Sequence, residues 1–458
     1  MQKQILKILT RFFPRLGKLD AQNKDMVRRT FNSMFLRVLR TGISFGFNVL
    51  LARTLGAEGA GVYALAYTIT RISSIVGRLG MDQAVLRFTA ANASQQKWSE
   101  VRGVYAHSML ITSVLSALMG AVVFFAAPLL SIIFQEPTLT EPMRWMALTI
   151  LPMSWTFMQA HLLQGIEKIE DAIFVQTMGV PIINIPFLIL LGGVYGVTGA
   201  AMSLVLSTAI IAFLGMRLWK RYTPELAQYT ANFDRQTLLQ TSYPLFWTDV
   251  TLVFIGLSDV LLLGVFKDSA TVGVYDQAKR ISVLVSAFLG ATSYVAAPKF
   301  AAMYAKGEID KLGRLARNAA RLSVLVSLPY ILLFLLVPGW IMGVFGDEFV
   351  QGAPVLMILA IGQFINAITG AVGFLLVMTG HEKIMRNITL STNALKVVLF
   401  FLLIPPFGFI GAALATAIGD SARNILAFLQ VYDKLKIITI PVPDRVAKWL
   451  STRSPVTP

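Results

Sequence analysis

Nine ionisable side chains stand inside stretches of sequence that are otherwise almost wholly apolar: Arg71, Asp249, Asp259, Asp276, Lys279, Arg280, Lys396, Asp420 and Arg423. An ionisable group in the middle of a membrane-crossing helix costs at least about 2.5–3.5 kcal/mol on insertion scales. Each such group therefore needs a function or a compensating partner. By counting along the runs, Arg71, Lys396, Asp420 and Arg423 fall near the midplane. Lys279 and Arg280 lie about 10 Å inside one end of their helix at 1.5 Å per residue. Two readings stand side by side. The acids and bases form internal ion pairs, for example Asp420 with Lys396 or Arg423, because buried charges are usually paired. Alternatively Arg71, Lys279, Arg280, Lys396 and Arg423 line a cationic cleft that attracts a phosphate or another anionic head group. Asp249, Asp259 and Asp420 are then candidates for a coupling-ion site.

No other constellation in the chain carries chemistry. His107, His161 and His381 are scattered without ligand spacing, and there is no cysteine. No metal, no cofactor and no catalytic set is expected, because no Ser/His/Asp arrangement, phosphate-binding glycine loop or paired-carboxylate motif is present.

The elements that must position these charges are membrane helices. Of 458 residues, 55% are hydrophobic and 14% charged, and the mean hydropathy is +0.67. Soluble domains carry roughly a quarter charged residues. Apolar runs such as 110–133 and 322–344 recur along the whole chain, and about 18 such residues suffice to cross the hydrocarbon as a helix. Spans are expected at 34–55, 61–81, 105–133, 142–163, 172–194, 197–219, 241–266, 272–297, 320–345, 352–379, 384–406 and 408–432. Pro152, Pro181, Pro186, Pro244 and Pro329 fall inside spans and predict kinks. Gly42 and Gly46 suit a tight helix contact. The net charge of +16 does not signal nucleic acid, since the basic residues lie between apolar runs and not on one folded face.

Charge placement orients the chain. With the N-terminus inside, the inner segments hold eight Lys/Arg before residue 30 and most of the later ones. The outer loops hold Lys267, with Arg53 at an edge. The positive-inside rule places both termini in the cytoplasm. There is no signal-peptide pattern. Ile5, Leu6, Ile8, Leu9, Phe12 and Phe13 with Lys3, Lys7, Arg11 and Arg15 predict a basic amphipathic stretch lying on the anionic inner leaflet. Trp145 and Trp340 near outer ends and Trp219 near an inner end fit aromatic belts or packing.

The chain also repeats itself. A shift of 212 residues aligns Gly61-Val62-Tyr63 with Gly273-Val274-Tyr275, Ala66 with Ala278, Phe88 with Phe300 and Ala90 with Ala302. It also aligns Pro142 with Pro354, Gly196 with Gly408, and Gly199-Ala200-Ala201 with Gly411-Ala412-Ala413. Glu167-Lys168-Ile169 matches Glu382-Lys383-Ile384 at 215, a small loop insertion. Each half holds an even number of spans, so the halves share one orientation and are related by an axis along the membrane normal. The expected fold is all-α and polytopic, with twelve transmembrane helices in two parallel six-helix lobes around a central cleft. Its parts are a cytoplasmic basic N-terminus (1–33), an N-terminal lobe (34–219), a cytoplasmic linker (220–240), a C-terminal lobe (241–432) and a cytoplasmic tail (433–458). Lys396 aligns with Asn184, Asp259 with Phe47 and Arg423 with Ile211. Most buried charges are thus confined to one half, and the lobes are expected to be unequal.

The stretch Leu50-Leu51-Ala52-Arg53-Thr54-Leu55-Gly56-Ala57-Glu58-Gly59-Ala60-Gly61-Val62-Tyr63-Ala64-Leu65 resembles the opening hairpin of Wzx-type polysaccharide transporters. Gly80-Met81-Asp82 and Arg87-Phe88 are similar to that family as well. The family sits in the MATE-like MOP flippase superfamily, beside the multidrug exporters and the lipid II flippases. The resemblance implies a flippase of the cytoplasmic (inner) membrane. Its substrate would be an undecaprenyl-diphosphate-linked oligosaccharide, moved to the outer leaflet by alternating access, with or without a coupling ion. Membrane lipids and polysaccharide polymerases are the implied partners, and no enzyme activity is implied. Lipid II flippases have two further helices for which this chain has no room, and MATE exporters often carry an acid in the first helix, where 34–55 has none. Both departures favour the polysaccharide branch. A MATE-like small-molecule or cation antiporter predicts an acidic or apolar cleft. A membrane-embedded polymerase or ligase of envelope polysaccharide predicts a sizeable outer loop with catalytic groups, and the outer loops here are short.

Overall fold

The computed structural model describes residues 21–443; the amphipathic stretch expected around 3–15 and the end of the tail lie outside the described residues. Among these the protein is helical, without strands. In chain order the helices are α1 (Ala21–Arg78), α2 (Met81–Ser94), α3 (Trp98–Ile133), α4 (Thr140–Gly165), α5 (Ile169–Tyr222), α6 (Arg235–Phe266) and α7 (Ser269–Ser282). They continue with α8 (Leu284–Ala305), α9 (Ile309–Leu336), α10 (Pro338–Gly343), α11 (Ala353–Thr369), α12 (Val372–Met378) and α13 (Glu382–Leu435). The expected spans lie on helical segments, with 272–297, 320–345 and 352–379 interrupted, at Val283, at Val337 and at 370–371. Several helices are long and apolar enough to cross a membrane: α3, α5, α9, α13 and the stretch Asp347–Thr369. The two arms of α6, Arg235–Thr251 and Gly256–Phe266, are bent by 49° and together are long and apolar enough for a further crossing.

Large apolar side chains cover the outside of the bundle, among them Phe125 at 80% exposure and Leu336 at 76%. Such a surface is stable against lipid and not against water. Trp340 is exposed in the same way, whereas Trp219 is buried and stacks on Tyr105 with ring centroids 5.4 Å apart. Of the residues proposed for a belt, Trp219 is packing.

Three long helices turn back on themselves at single glycines. α1 breaks at Gly56 (φ 68°, ψ −178°), α5 at Gly196 (φ 56°, ψ −133°) and α13 at Gly408 (φ 55°, ψ −130°). An L side chain is strained at positive φ, which accounts for glycine at all three. Gly196 and Gly408 are one repeat apart and share one backbone geometry. A Cβ on Gly199 would lie 1.9 Å from the Leu191 carbonyl oxygen, and one on Gly411 2.0 Å from that of Leu403. The 212-residue register therefore holds in space, down to which carbonyl meets which glycine.

The two halves meet in a crossing that obeys the same register. A Cβ on Gly61 of α1 would lie 1.7 Å from the Ser269 carbonyl oxygen, and one on Gly273 of α7 2.1 Å from that of Ala57. Ala57 and Ser269 are themselves one repeat apart, so the contact is reciprocal, each half offering a glycine to the other's carbonyl. A single buried apolar cluster spans both halves around this crossing, from Leu51, Ala60 and Leu65 to Val274, Tyr275, Phe345 and Phe349. At the opposite end of the bundle the packing divides. One cluster, including Met81, Val104, Leu162 and Trp219, belongs to the N-terminal half, and another, including Phe300, Leu312, Leu375 and Val431, to the C-terminal half. Leu238 of the first arm of α6 is buried in the N-terminal cluster. A Cβ on Gly80 would reach 2.3 Å from Phe246 N of that arm, so this arm packs tightly under the first half.

The crossing leaves no room for side chains. Gly61→Val or Gly273→Val is expected to lower the melting temperature in detergent by several degrees or to abolish a monodisperse peak. Gly193→Ala, at a position with nothing within 4 Å, is expected to change neither. Equal tolerance at all three positions would contradict the crossing.

Candidate functional site

Each half contains a polar cavity at the same repeat positions. The N-terminal one, of about 300 Å³, is lined among others by Phe47, Tyr63, Tyr67, Arg71, Thr177, Asn184, Leu204 and Thr208. Adding 212 to these numbers gives Asp259, Tyr275, Lys279, Val283, Thr389, Lys396, Thr416 and Asp420. All of these but Tyr275 line the C-terminal cavity of about 200 Å³, and the Tyr275 hydroxyl bonds to Asp259 and Thr416 there. Duplication made the pair, and side-chain choice then separated it. The N-terminal cavity is aromatic and neutral-polar around one cation of its own. The C-terminal cavity is a charge network.

In the N-terminal cavity α1 presents Tyr63 and Tyr67 one turn apart, stacked with centroids 6.1 Å apart and planes at 8°. Arg71 follows one turn further on the same face. It is exposed to the cavity and has no ion pair or hydrogen bond among the described residues. The facing wall comes from α5, which widens into π turns at Phe174–Met178 and Leu188–Gly192 on either side of Pro181 and Pro186. This wall carries Gln176, Thr177 and Asn184. Asn184 is 1% exposed and its Oδ1 has no hydrogen-bond partner, an acceptor that lacks a donor. Arg280 enters from the other half. Its Nε donates to Asp276 Oδ2 at 2.6 Å, one turn back on α7. Arg280 lines both this cavity and a third, of about 330 Å³, between the halves, with Ser44, Asn48, Gln277 and Phe345.

In the C-terminal cavity Lys279 Nζ pairs with Asp259 Oδ2 at 2.6 Å and donates to the Gly256 carbonyl at 3.0 Å. Asp259 also accepts from the Tyr275 hydroxyl at 2.8 Å and from the Val260 amide at 2.9 Å. Lys396 Nζ pairs with Asp420 Oδ1 at 3.0 Å, and Arg423 Nη1 stands 4.0 Å from the same oxygen. Both carboxylates are thus occupied by tethered ammonium groups, and three cations face two acids. The ion-pair reading of the sequence applies to this cavity.

The five candidate cations therefore do not share one cleft. Arg71 and Arg280 line one cavity, and Lys279, Lys396 and Arg423 another. Asp249 lines neither; it is half-buried on the first arm of α6, with Asp82, Arg78 and His161 as the charged groups around it. Arg78 is an intramembrane charge absent from the nine. It is buried, pairs with Asp82 at 2.9 Å, donates to Ser74 Oγ at 2.6 Å and lies over the Phe157 ring at 4.3 Å. Its signal was an acid four residues on, across the turn at Leu79 and Gly80 that separates α1 from α2. Asn184 and the two tyrosines carried no such signal, because neutral residues on an apolar helix read as packing.

A sequence profile described as polysaccharide biosynthesis protein matches residues 26–304. A probable low-salt glycan biosynthesis flippase, Agl15 of Haloferax volcanii, is 28% identical over 169 residues, which is 37% of this chain and 36% of that one. That match thus spans about a third of the relative's length. The uncharacterized membrane protein MJ1068 of Methanocaldococcus jannaschii is 21% identical over 83% of this chain and 79% of its own. Among solved structures, the lipid II flippase MurJ in an inward closed conformation superimposes with a TM-score of 0.71 at 14% identity, covering 91% of this chain and 89% of that one. An inward-facing multidrug resistance MATE transporter of the MOP superfamily gives 0.70 at 14%, covering 91% and 96%.

The C-terminal network makes its own prediction. Removing one partner of a buried pair leaves the other charge alone, which costs about 3–5 kcal/mol; with Asp420 partly exposed, about 3 kcal/mol is expected for Lys396→Met. Asp420→Asn in the same chain should restore much of that loss. A double-mutant cycle by thermal unfolding in detergent checks it, and a coupling energy near zero would contradict the pairing.

Proposed function

Since the chain belongs to the polysaccharide biosynthesis protein family, we propose that it is a flippase for a lipid-diphosphate-linked oligosaccharide, carried from the inner to the outer leaflet of the cytoplasmic membrane. The protein is a multi-pass membrane protein with the fold of the MOP superfamily transporters. In this reading it crosses the membrane twelve times in lobes at 34–219 and 241–432, joined by the linker 220–240, with both termini in the cytoplasm. It moves its substrate by alternating access and makes or breaks no covalent bond.

One observation supports the substrate class above the others. Arg71, without an ion-pair partner among the described residues, and Arg280, from the opposite half, line a single cavity whose lining among the described residues includes no carboxylate. Two guanidinium groups facing one cavity favour an anion with several acceptor oxygens, such as a diphosphate. The remaining wall suits sugar. Stacked tyrosine faces accept the apolar face of a pyranose ring, and the Asn184 amide beside Tyr63 adds a neutral polar group suited to a sugar hydroxyl. A cavity for organic cations would need a carboxylate, which this lining lacks among the described residues.

The acids follow from the same geometry. Asp259 and Asp420 serve a cross-helix network joining α6, α7 and both arms of α13, and not a metal-ion site, because Lys279 and Lys396 already hold them. Asp249 belongs to the region under the first half and takes no part in holding the substrate.

In a strain whose surface glycan depends on this protein, Arg71→Gln and Arg280→Gln are each expected to reduce export about tenfold or more at equal protein level, as for a charged group in a desolvated polar contact. Arg71→Lys should retain part of the activity, since it keeps the charge and loses the planar fork. Export at the parent level by Arg71→Gln would sink the diphosphate reading. Asn184→Leu is expected to cut export of the native glycan severalfold while leaving the melting temperature unchanged. A loss of stability that accounts for the export defect would make Asn184 structural.

A further inference from the structure

The repeat register also relates two acids that no buried-charge argument selects. Glu136 lies in the short connection between α3 and α4, and Glu348 in the connection between α10 and α11; they are one repeat of 212 residues apart. Each reaches across to the other half. Glu348 Oε2 accepts from the backbone amide of Ala57 at 2.7 Å. Glu136 Oε2 accepts from the Ser269 hydroxyl at 2.5 Å. Ala57 and Ser269 are again one repeat apart, and each begins the helical arm that enters the glycine crossing. We propose that Glu136 and Glu348 form a reciprocal clasp that holds the halves together at this end of the molecule. Its release accompanies opening to that side.

The local chemistry explains why the acceptors are carboxylates. The start of a helical arm exposes amide N–H groups without intrahelical partners and a partial positive charge. At Gly56 the chain turns through φ 68°, which aims the Ala57 amide out of α1, and a Cβ on Gly56 would lie 3.2 Å from the Glu348 carboxylate. The second half solves the same problem differently. Asp268 caps its own helix by accepting from Thr271 N at 2.9 Å, so the Glu136 carboxylate takes the Ser269 hydroxyl in place of an amide. Around the pair, Arg53 Nε donates to the Val344 carbonyl at 2.8 Å, and Phe45 meets Phe345 edge to face at 5.7 Å. Every one of these contacts joins one half to the other, and they gather at the end where the apolar cluster is shared. At the other end the described clusters are separate.

A clasp of this kind is strong enough to bias a two-state equilibrium and weak enough to release. Its acceptors stand at the surface, where water can replace either half-clasp. Both carboxylates must let go together, because each leaves the other still bridging the halves. The assignment of this end to the outside rests on the orientation used above, so the test reads both faces.

The chain has no cysteine, so Ala287→Cys gives a single thiol at an exposed position lining the cavity between the halves. In intact cells the thiol is expected to react slowly with a membrane-impermeant maleimide. In inverted vesicles it should react readily. Glu136→Gln and Glu348→Gln should each raise the outside rate roughly threefold and the pair about tenfold or more, with a matching fall from the inside, in line with losing charge-assisted contacts. Asp347→Asn, an exposed acid next to Glu348, is the parent-like control. Should the double Gln variant lose its monodisperse peak, Glu136→Asp with Glu348→Asp keeps the charges and shortens their reach, and an intermediate outside rate is expected. Parent rates from both faces in the folded double variant would overturn the clasp. Faster reaction only in inverted vesicles would keep the clasp and reverse the orientation. Altered labelling with unchanged glycan export would keep the clasp and count against the flippase reading.

Discussion

The structure depends on one constraint, the approach of α1 and α7 at Gly61 and Gly273. Each glycine lies where a Cβ would collide with a carbonyl of the other half, at 1.7 and 2.1 Å. Because the contact is reciprocal, a single sequence solution served both sides when the half was duplicated, as in an isologous dimer interface. Helices that approach this closely gain dispersion contacts over their whole backbones, the main attraction left where lipid is as apolar as leucine. The crossing fixes which residues of α1 and α7 face inward. Tyr63, Tyr67 and Arg71 on one side, and Tyr275, Lys279 and Arg280 on the other, follow within three turns of it.

From that frame the two cavities are the same place built twice. In the first, Phe47, Tyr67, Asn184 and Thr208 add no charge beside Arg71 and Arg280; in the second, Asp259, Lys279, Lys396 and Asp420 turn the same positions into a network of ion pairs. Buried pairs across α6, α7 and α13 stiffen the C-terminal half as a unit, since separating any of them strands a charge. The N-terminal cavity has no such pairs among the described residues, and Arg71 stands in it unpaired. Arg280 couples the two, because it is anchored to Asp276 in the stiff half and projects into the open cavity of the other. A relative movement of the halves would carry Arg280 with respect to Arg71 and so alter the grip on an anion.

Much of the fold was legible in the sequence because its physics is one-dimensional. Hydropathy marked the helical stretches, and the 212-residue register paired Gly196 with Gly408, where the matched breaks fall. The resemblance over 50–90 also acquires physical content. Arg53 holds the Val344 carbonyl, Gly56 makes the turn, Gly61 makes the crossing, and Gly80 admits the first arm of α6. The site was legible only in part. Charge finds ions but not their partners, so Arg71 and Lys396 looked alike, and only the fold shows one open and the other held by Asp420. The neutral wall of Tyr63, Tyr67 and Asn184 and the surface acids Glu136 and Glu348 were invisible to a search for buried charge. The register named both sets once it was followed residue by residue.

The central claim is that the N-terminal cavity, and not its charged counterpart, holds the substrate's head group. A photoreactive benzoyl-phenylalanine placed at Tyr67 and, in a second chain, at Thr416 tests this most directly, with cells fed radiolabelled sugar and irradiated before the protein is purified. The account predicts a labelled glycolipid adduct from position 67, whose sugar label stays on the protein when mild acid cleaves the glycosyl diphosphate, and none above background from position 416. An adduct at 416 with none at 67 would contradict it.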